Sequence, residues 1–520
     1  MLLPCLVLIP FIGGLLCWSC ERLENKKTPC WIALITMVFT LTLSLFLWQL
    51  DNLDQGKLKL TKWKIEFLYP WIPRFNINIH LALDGLSILM VSLTGFFGIL
   101  AVLCSWREVQ NHRGLFYFNL LWIFTSVIGV FLAIDMFLFF LFWEMMLLPM
   151  FFLIVLWGRS NSKTDYKDKV SVAMKFCIYT QISGLVMLVS IFGLVMTHYS
   201  ATGFWTFDYE HLKNTPMSHQ KELLLMLGFF LSFAIKFPIV PLHGWLPDVH
   251  SYTPTAGSVD LAGVLLKTAA YGILRFILPL FPHASYHFAP IAMWLGLINI
   301  FYGALVALLQ TDIKRLIAYI GISHMGLVLI AIYSGNQLAC QGAVIQMIAH
   351  GLSASGMFIV CGQIYERSQK RDIQSIGRLC KRLNFIPTSF LFFTIATLGI
   401  PGTINFVGEI ITLFGNFQID PMIAVTATFG LVFVSICSLM IIYSVYNGPE
   451  RSLNSLSDST LREKLIVLSL AVLIILFGFF PYLIMDVSFS TIKQILDPNL
   501  LSEFALSFHH KQEDDSTLWK

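Results

Sequence analysis

The chain has 520 residues, of which 57% are hydrophobic and 12% are charged, and its mean hydropathy is +0.74. Soluble domains carry about 25% charged residues, so this composition excludes a soluble enzyme, a nucleic-acid-binding protein and a disordered chain. The apolar stretches run from end to end, which also excludes a single anchor on a large soluble domain. Because a bilayer span needs about 20 apolar residues, the apolar count predicts roughly fourteen spans.

The net charge does not indicate a polyanionic partner, and the cysteines do not indicate a metal site. The net charge of +4 is too small to indicate a nucleic-acid partner. Cys17 and Cys20 form one CxxC pair at the end of the first span, but no second ligand pair accompanies it. We interpret the cysteines as small packing residues and predict no metal site. The N-terminus lacks the basic residues that begin a cleavable signal, so the first apolar stretch is predicted to be a retained span.

Apolar runs of span length follow one another with short connections between them. Backbone groups in lipid must bond within their own segment, so each run is predicted to be a helix. The fold class predicted from this pattern is an all-α polytopic membrane protein with about fourteen transmembrane helices. The predicted spans are 2–19, 30–50, 82–105, 115–134, 136–157, 172–198, 223–245, 256–280, 288–310, 313–333, 340–365, 385–415, 420–446 and 465–487.

Basic residues outside the spans indicate the orientation of the chain. The loops after odd-numbered spans hold 20 Lys and Arg residues, whereas the loops after even-numbered spans, with the C-terminal tail, hold 10. This bias predicts that the odd loops are cytoplasmic and that both termini lie on the outer side. The 51–80 loop runs against the bias, since it places five basic residues on the predicted outer side.

Four basic residues remain inside the predicted spans. Lys175 and Arg275 lie near span ends, whereas Lys236 and Lys267 lie deep in their segments. A lysine at mid-membrane costs about 2.5–3.5 kcal/mol even on a lenient scale, so such residues face protein or water and usually mark a pathway. With the acidic and histidine residues of neighbouring spans they form one candidate set, consisting of Asp135, Glu144, Lys236, Lys267, His324, His350 and Glu409.

Glu144 has no other charge nearby in sequence, and Lys236 is its natural partner from another span. Two readings stay open: a fixed ion pair that only holds two helices together, or a pair that opens and acts on its neighbours through the low dielectric. Lys267 has no obvious carboxylate on its own helix. Burial disfavours the charged form of a lysine, so Lys267 is predicted to release and regain a proton.

His324 and His350 precede Glu409 along the chain, on the tenth and eleventh predicted spans. Histidine titrates nearest to physiological pH, so each is either a proton carrier or a packing residue. Neither has companion ligands nearby in sequence, and no metal site is predicted at them.

Proline and glycine interrupt the seventh and twelfth predicted spans, at 236–248 and 399–409. Freed backbone is tolerated in a membrane only where protein or water satisfies it. Two interrupted spans five apart, each with an ionisable residue, are typical of inverted repeats around a mid-membrane ion site, and two ordinary proline kinks are the alternative. The predicted domains are spans 1–3 at 1–110, a first repeat of spans 4–8 at 111–283, a second repeat of spans 9–13 at 284–447, and the last span with the tail at 448–520.

Seven stretches along the chain carry a family pattern. They are Leu83–Ser87, Phe142–Met145, Lys236–Asp248, Gln310–Tyr319, Ser323–Gly326, Ala349–Gly351 and Gly399–Gly402. Together they resemble the antiporter-like proton-pumping subunits of respiratory complex I, NADH-quinone oxidoreductase. The resemblance is strongest to the chain M branch, whose mitochondrial counterpart is NADH dehydrogenase subunit four, and it covers nearly the whole chain.

The resemblance implies fourteen helices with two inverted five-helix repeats. It implies a proton path through six residues, in the order Glu144, Lys236, Lys267, His324, His350 and Glu409. In sister subunits and in related Na+/H+ antiporters the last position is typically Lys, so Glu409 favours the chain M branch. Five further residues are candidate accessory positions, namely Asp135, Asp84, Lys175, His243 and Asp312.

The predicted function is therefore proton translocation by a membrane subunit of an H+-translocating NADH:quinone reductase. The sequence has no cysteine set for an iron–sulfur cluster and no Gly-rich turn after a strand. FMN, iron–sulfur clusters, NADH and quinone are accordingly expected in other subunits, with no cofactor bound by this chain.

The expected partners are the lipid bilayer and the other complex I membrane subunits, with chains L and N on either side, and no nucleic acid. The expected location is the bacterial inner (plasma) membrane, with the mitochondrial inner membrane as the alternative. Two rival functions remain open: a subunit of a multisubunit Na+/H+ antiporter, and a structural spacer that does not pump.

Overall fold

The computed structural model describes residues 2–22, 27–53, 63–159, 165–368, 372–373, 383–447 and 458–496. Within these residues eleven helices, or twelve if one bent pair is a single span, are long and apolar enough to cross a membrane. The predicted C-terminal tail, His509–Lys520, lies outside the described residues. The helices are α1 (Leu2–Ser19), α2 (Thr28–Leu53), α3 (Gly85–Glu108), α4 (Arg113–Leu132), α5 (Met136–Met145), α6 (Leu147–Trp157), α7 (Asp165–Thr202), α8 (Tyr209–Leu212), α9 (His219–Lys236), α10 (Leu246–Tyr252), α11 (Thr255–Leu280), α12 (Pro282–Leu308), α13 (Ile313–Tyr333), α14 (Gln337–Ser368), α15 (Phe385–Thr397), α16 (Ile404–Phe417), α17 (Pro421–Asn447), α18 (Leu461–Phe479) and α19 (Tyr482–Ile495).

A β-hairpin precedes α3, in the region that the sequence predicted as a loop. Its strands are β1 (Ile65–Ile72) and β2 (Ile77–Leu83), which pair antiparallel. The prediction of an all-α chain is wrong here, because residues 77–83 place Ile and Leu side chains at every second position, the periodicity of a strand. The chain reverses at Asn76, whose φ of 51° is a left-handed conformation that asparagine tolerates.

Three helices form the buried centre of the bundle. The apolar segments of α13 and α14 are completely covered by protein and that of α11 is almost so, whereas α1, α2 and α17 leave most of theirs uncovered. α14 packs against α11, α13 and α16, among others. Polar residues on these three central helices are therefore surrounded by protein, and the outer helices supply the apolar surface that faces lipid.

Both predicted interruptions are present. α9 ends at Lys236, and turns over residues 237–245 lead into α10. The second interruption separates α15 from α16, and Gly399 and Gly402 there have φ of 74° and 95°, conformations that side chains with a Cβ rarely adopt. The sequence did not predict two π-helical stretches inside α11, over Leu261–Leu265 and Ile273–Ile277.

Candidate functional site

Lys267 lies about midway along α11 and is completely buried. Its Nζ donates to the backbone carbonyl of Ala262, in the π-helical stretch one turn earlier, and lies 2.9 Å from Nδ1 of His350. π-helical turns displace carbonyls from the regular ladder and are frequent at functional sites. The local backbone of α11 thus supplies one ligand of the lysine, and α14 supplies the other.

From Lys267 a row of buried polar side chains crosses the second half of the bundle. The ring centroids of His350 and His324 are 6.0 Å apart. Nδ1 of His324 lies 3.5 Å from Oε1 of Glu409 and 3.3 Å from Nε2 of Gln346. In space His350 therefore comes before His324, the reverse of the order in which the predicted path names them. We call Lys267, His350, His324 and Glu409 the central row.

Glu409 sits against the second interruption of the bundle. A Cβ added at Gly399 would come within 2.5 Å of Oε2 of Glu409, so only glycine leaves room for the carboxylate there. The side chain is 12% exposed and lies close to that of Gln346. The break between α15 and α16 thus shapes the end of the central row.

Lys236 is buried at the last residue of α9, and its position differs from the predicted ion pair. No carboxylate oxygen of Glu144 lies within 4.0 Å of its Nζ, although the two charges are close enough to interact. The Nζ lies 3.7 Å from the ring centroid of Trp143, 3.4 Å from the Trp143 carbonyl oxygen and 3.2 Å from the sulfur of Met146. A cation above an indole ring is stabilised by the ring quadrupole. Lys236 therefore rests in a cradle made by Trp143 and Met146, which lie one residue before and two residues after Glu144 in sequence.

Glu144 itself lies towards α7. A Cβ added at Gly184 of α7 would overlap its carboxylate, so the glycine provides the space that the carboxylate occupies. The side chain is only partly buried, in contrast to Lys236. The fixed Glu144–Lys236 ion pair is absent from this structure, because the carboxylate turns to Gly184 and the ammonium turns to Trp143, whereas a pair that opens stays a prediction.

The sequence reading missed two buried ionisable residues. Asp260 on α11 is fully buried, within electrostatic range of Lys236. His250 on α10 stacks on Phe358 with ring centroids 4.4 Å apart and is close enough to Lys267 to feel its charge. Asp260 was recognisable as an acidic residue inside an apolar span, seven positions before Lys267.

Two of the predicted accessory residues lie at the end of the bundle that carries the hairpin, which we call the hairpin face. Asp135 was predicted to lie on the fifth span, but it is the residue before α5, where its carboxylate accepts from the amides of Phe137, Leu138 and Asn78. Burial raises the pKa of Asp135 to about 6. Asp84 caps α3 and pairs with Arg275, which is buried near the end of α11.

The hairpin is held to this face by His80. Its Nδ1 contacts Oδ2 of Asp208, which follows α7, and its Nε2 lies 2.8 Å from Oε1 of Glu66. Burial lowers the pKa of His80, but the hydrogen bond and charge of Asp208 outweigh it and raise the pKa above the ordinary 6.5. The same contact holds the pKa of Asp208 below its usual range despite burial.

The other accessory residues lie at the opposite end of the bundle. Lys175 pairs with Asp248 at 2.6 Å, and Asp312 caps α13 and accepts from Ser251. His243 lies in the first interruption, and its ring packs against Tyr302 of α12. The structure therefore brings the central row together and leaves Asp84, Asp135 and Asp312 at the two rims. Among the described residues no group of three His, Cys, Asp or Glu side chains is placed to hold a metal ion.

Comparison with known proteins adds independent findings. The family model described as "NADH:quinone oxidoreductase/Mrp antiporter, TM" matches residues 133–435. NADH-quinone oxidoreductase subunit M of Escherichia coli is 62% identical over 504 residues, which cover 95% of this chain and 97% of the relative.

Two solved structures have similar folds. A chain of the respiratory complex I of Thermus thermophilus superposes with a TM-score of 0.84 at 25% identity, over 96% of this chain and all of that one. A chain of the Mrp complex of Dietzia superposes with a TM-score of 0.81 at 17% identity, over 97% of this chain and all of that one, and at that identity the likeness concerns the fold alone.

Proposed function

The chain belongs to the NADH:quinone oxidoreductase/Mrp antiporter family, and on that premise we propose that it translocates protons in the membrane arm of NADH-quinone oxidoreductase. The observation that carries the proposal is the central row. Four buried titratable side chains lie side by side, on the central helices α11, α13 and α14 and on the neighbouring α16. Ionisable residues are costly in a membrane and are retained there chiefly for transport.

In the proposed mechanism, Glu144 and Lys236 form a switch whose charges act on Lys267. A change in the distance between them alters the field at Lys267, and its proton passes through His350 and His324 to Glu409. Moving one charge across the membrane costs about 2.3 kcal/mol per 100 mV. Buried charges a few ångströms apart interact with energies of at least this size, so rearranging them suffices to drive the proton.

The architecture that accompanies this function is part of the proposal. The eleven helices found by length and hydropathy, the two interrupted spans α9–α10 and α15–α16 and the bent pair α18–α19 give fourteen spans. We assign two inverted repeats to residues 111–283 and 284–447, flanked by 1–110 and 448–520. The loop charges orient the end opposite the hairpin towards the cytoplasm.

The chain is a multi-pass membrane protein of the bacterial inner-membrane type. In this proposal its neighbours in the assembled complex are chains L and N, and FMN, the iron–sulfur clusters, NADH and quinone belong to other subunits. Redox energy therefore reaches the chain through contacts with its partners. The accessory residues Asp84, Asp135, Lys175, His243 and Asp312 shape the two ends of the path.

The experiment uses the assembled complex in proteoliposomes, with NADH-driven proton uptake and NADH oxidation measured together. We expect Lys267→Ala to lower proton uptake by roughly 100-fold, the size of effect that loss of a proton-transfer group produces. Glu144→Gln removes the charge of the switch and is expected to cause a similar loss. Asp420→Asn is the matched control, because Asp420 caps α17 at an exposed position and asparagine caps equally well.

The result that contradicts the proposal is undiminished proton uptake by an assembled Lys267→Ala complex. Vesicles that contain this chain alone test the rival function. Proton exchange driven by a Na+ gradient without NADH would support the Na+/H+ antiporter, although the Mrp chain of similar fold is only 17% identical in sequence.

A further inference from the structure

Asp260 is the buried charge that the proposed mechanism leaves without a role. Its side chain is completely inaccessible, and neither carboxylate oxygen has a hydrogen-bond partner among the described residues. An ionised carboxylate is strongly disfavoured in an apolar interior unless a partner compensates it. A residue in this state is either protonated or compensated by a nearby cation.

Lys236 is the cation within range. It is the charged group that acts on Asp260, and Asp260 and Glu144 are the two carboxylates that act on Lys236. Neither carboxylate lies within 4.0 Å of the ammonium in this part of the structure, because Lys236 rests above the ring of Trp143. The lysine is thus placed between two acidic groups and is bound directly by neither.

The two carboxylates differ in their surroundings. Glu144 is partly buried and lies against α7, towards the outside of the bundle, whereas Asp260 is on the central helix α11. Asp260 also immediately precedes the π-helical stretch whose Ala262 carbonyl binds Lys267. The seven residues from Asp260 to Lys267 span about 10 Å along the helix axis.

From this geometry we propose that Asp260 is a second carboxylate partner of Lys236, which positions the lysine between Glu144 and Lys267. When Lys236 leaves the cradle towards Glu144, the ammonium of Lys267 is the cation that compensates the Asp260 charge, and this stabilises the proton on Lys267. When Lys236 turns to Asp260, that charge is neutralised and the ammonium comes nearer to Lys267, which favours release of its proton. The motion breaks no covalent bond and moves only charge, and it rests on the proposed function.

The groups that face this switch come from several helices. Lys236 on α9 faces Glu144 on α5 and Asp260 on α11. Lys267 faces His350 on α14, His324 on α13 and His250 on α10. Any pH dependence of the switch therefore belongs to this set of seven. Asp260 lies outside the central row, so its charge can be changed while the row keeps its side chains.

The test compares Asp260→Asn, Asp260→Leu and Asp260→Glu in the assembled complex in proteoliposomes. We expect Asn and Leu to lower the number of protons taken up per NADH by about five- to tenfold, a usual range for coupling between sites. Glu, which keeps the carboxylate, is expected to retain most of the uptake. Electron transfer from NADH to an artificial acceptor reports assembly, and Asp420→Asn controls for the same chemical exchange elsewhere.

A pH profile separates positioning of the lysine from packing. Removing a negative charge near Lys236 disfavours its ammonium form, so the alkaline limb of proton uptake is expected to move to lower pH in the Asn and Leu variants. A residue that only packs would leave this profile unchanged. The Asp260→Leu variant keeps the test possible if the Asp260→Asn complex does not assemble. Leu has a similar volume and no polar atoms that would be left unsatisfied.

The role of Asp260 is overturned if any assembled Asn or Leu variant has the same proton uptake and the same pH profile as the unmodified complex. Equal losses in Asn, Leu and Glu also overturn it, since they would indicate packing. Failure of the proposed function has a different signature. In that case Lys267→Ala pumps normally, or the unmodified complex does not pump, whatever residue 260 is.

Discussion

The two halves of the buried charge set differ in how their members touch. In the central row, Lys267 is bound to His350, and His324 lies beside Glu409 and Gln346. In the other half, Glu144, Lys236 and Asp260 are within electrostatic range, yet no two of them form an ion pair among the described contacts. The central row is connected by direct contacts, whereas the other half is connected by electrostatic interactions over longer distances.

This difference teaches where motion belongs. Proton transfer needs groups within hydrogen-bond reach, directly or through one water, and the central row largely provides that arrangement without rearranging its helices. No ion pair has to break before Lys236 moves towards either carboxylate, and the lysine gives up only its contacts with Trp143 and Met146. We infer that the Lys236 half controls transport and that the central row carries it.

The largest effect that would break this comparison comes from His350. His350→Ala removes the side chain that contacts Lys267, and we expect NADH-driven proton uptake to fall by at least about tenfold because the proton loses its first acceptor. His324→Ala should cause a comparable loss at the next position. Proton uptake in proteoliposomes measures both, and wild-type uptake in His350→Ala would contradict the idea that contacts carry the proton.

A histidine–carboxylate contact outside the membrane provides a reference for the one in the central row. The raised pKa of His80 means that its pairing with Asp208 stabilises the hairpin fully below pH 6.5 and loses that contribution as pH rises through the raised value. We expect His80→Gln to lower the opening free energy of β2 amides by about 1–3 kcal/mol at pH 6. At pH 9 the same change should have little effect.

Hydrogen exchange of the hairpin in the detergent-solubilised complex measures this quantity. Glu66→Gln is the control, because Glu66 contacts the other ring nitrogen but its side chain is 48% exposed and screened by water. An effect of His80→Gln that is equal at the two pH values would show that the ring acts by packing alone.

A smaller loss of proton uptake is expected from a change at Gly184, beside the carboxylate of Glu144. Gly184→Ala adds a methyl group where the Glu144 carboxylate lies, so the carboxylate must move while its charge remains. Because a long side chain moves at its far end, we expect an intact complex with proton uptake lowered roughly three- to fivefold, about 1 kcal/mol. Gly193→Ala on the same helix is the matched control, since its methyl group would meet only Leu225. Equal effects of the two exchanges would contradict a specific role for the carboxylate position.

The smallest effect is expected at the rim opposite the hairpin. Asp248→Asn removes the carboxylate that pairs with Lys175 and Arg315, whose side chains are 39% and 38% exposed. Exposed pairs contribute about 0–1 kcal/mol, so proton uptake should change by less than about twofold. A tenfold loss in the same uptake assay would instead place this rim pair on the path.

Much of this arrangement could be predicted from the sequence. Span-length apolar runs identified the helices, and Pro238 and Gly399 marked the two interruptions. A lysine inside an apolar segment is conspicuous, so Lys236 and Lys267 were found. These features are local, and local patterns suffice to find them.

The rest depends on tertiary structure. That His350 contacts Lys267 while His324 is farther away follows from how α13 and α14 pack, which chain order does not encode. The separation of Glu144 from Lys236 follows from the space at Gly184 and the ring of Trp143. The π-helical stretches of α11 also lie in apolar sequence with no local marker. Asp260, by contrast, is recognisable in the sequence as an acidic residue inside an apolar span.

The partners of Lys267 have a consequence for its chemistry. Its nitrogen is bound by a peptide carbonyl and by an imidazole, and neither carries a formal charge when the ring is neutral. A carboxylate in their place would bind the ammonium far more tightly than the amine and would trap the proton. A neutral pair of ligands holds the nitrogen in place in either protonation state. Position and protonation of this lysine are thereby uncoupled, and distant charges are left to decide whether the proton stays.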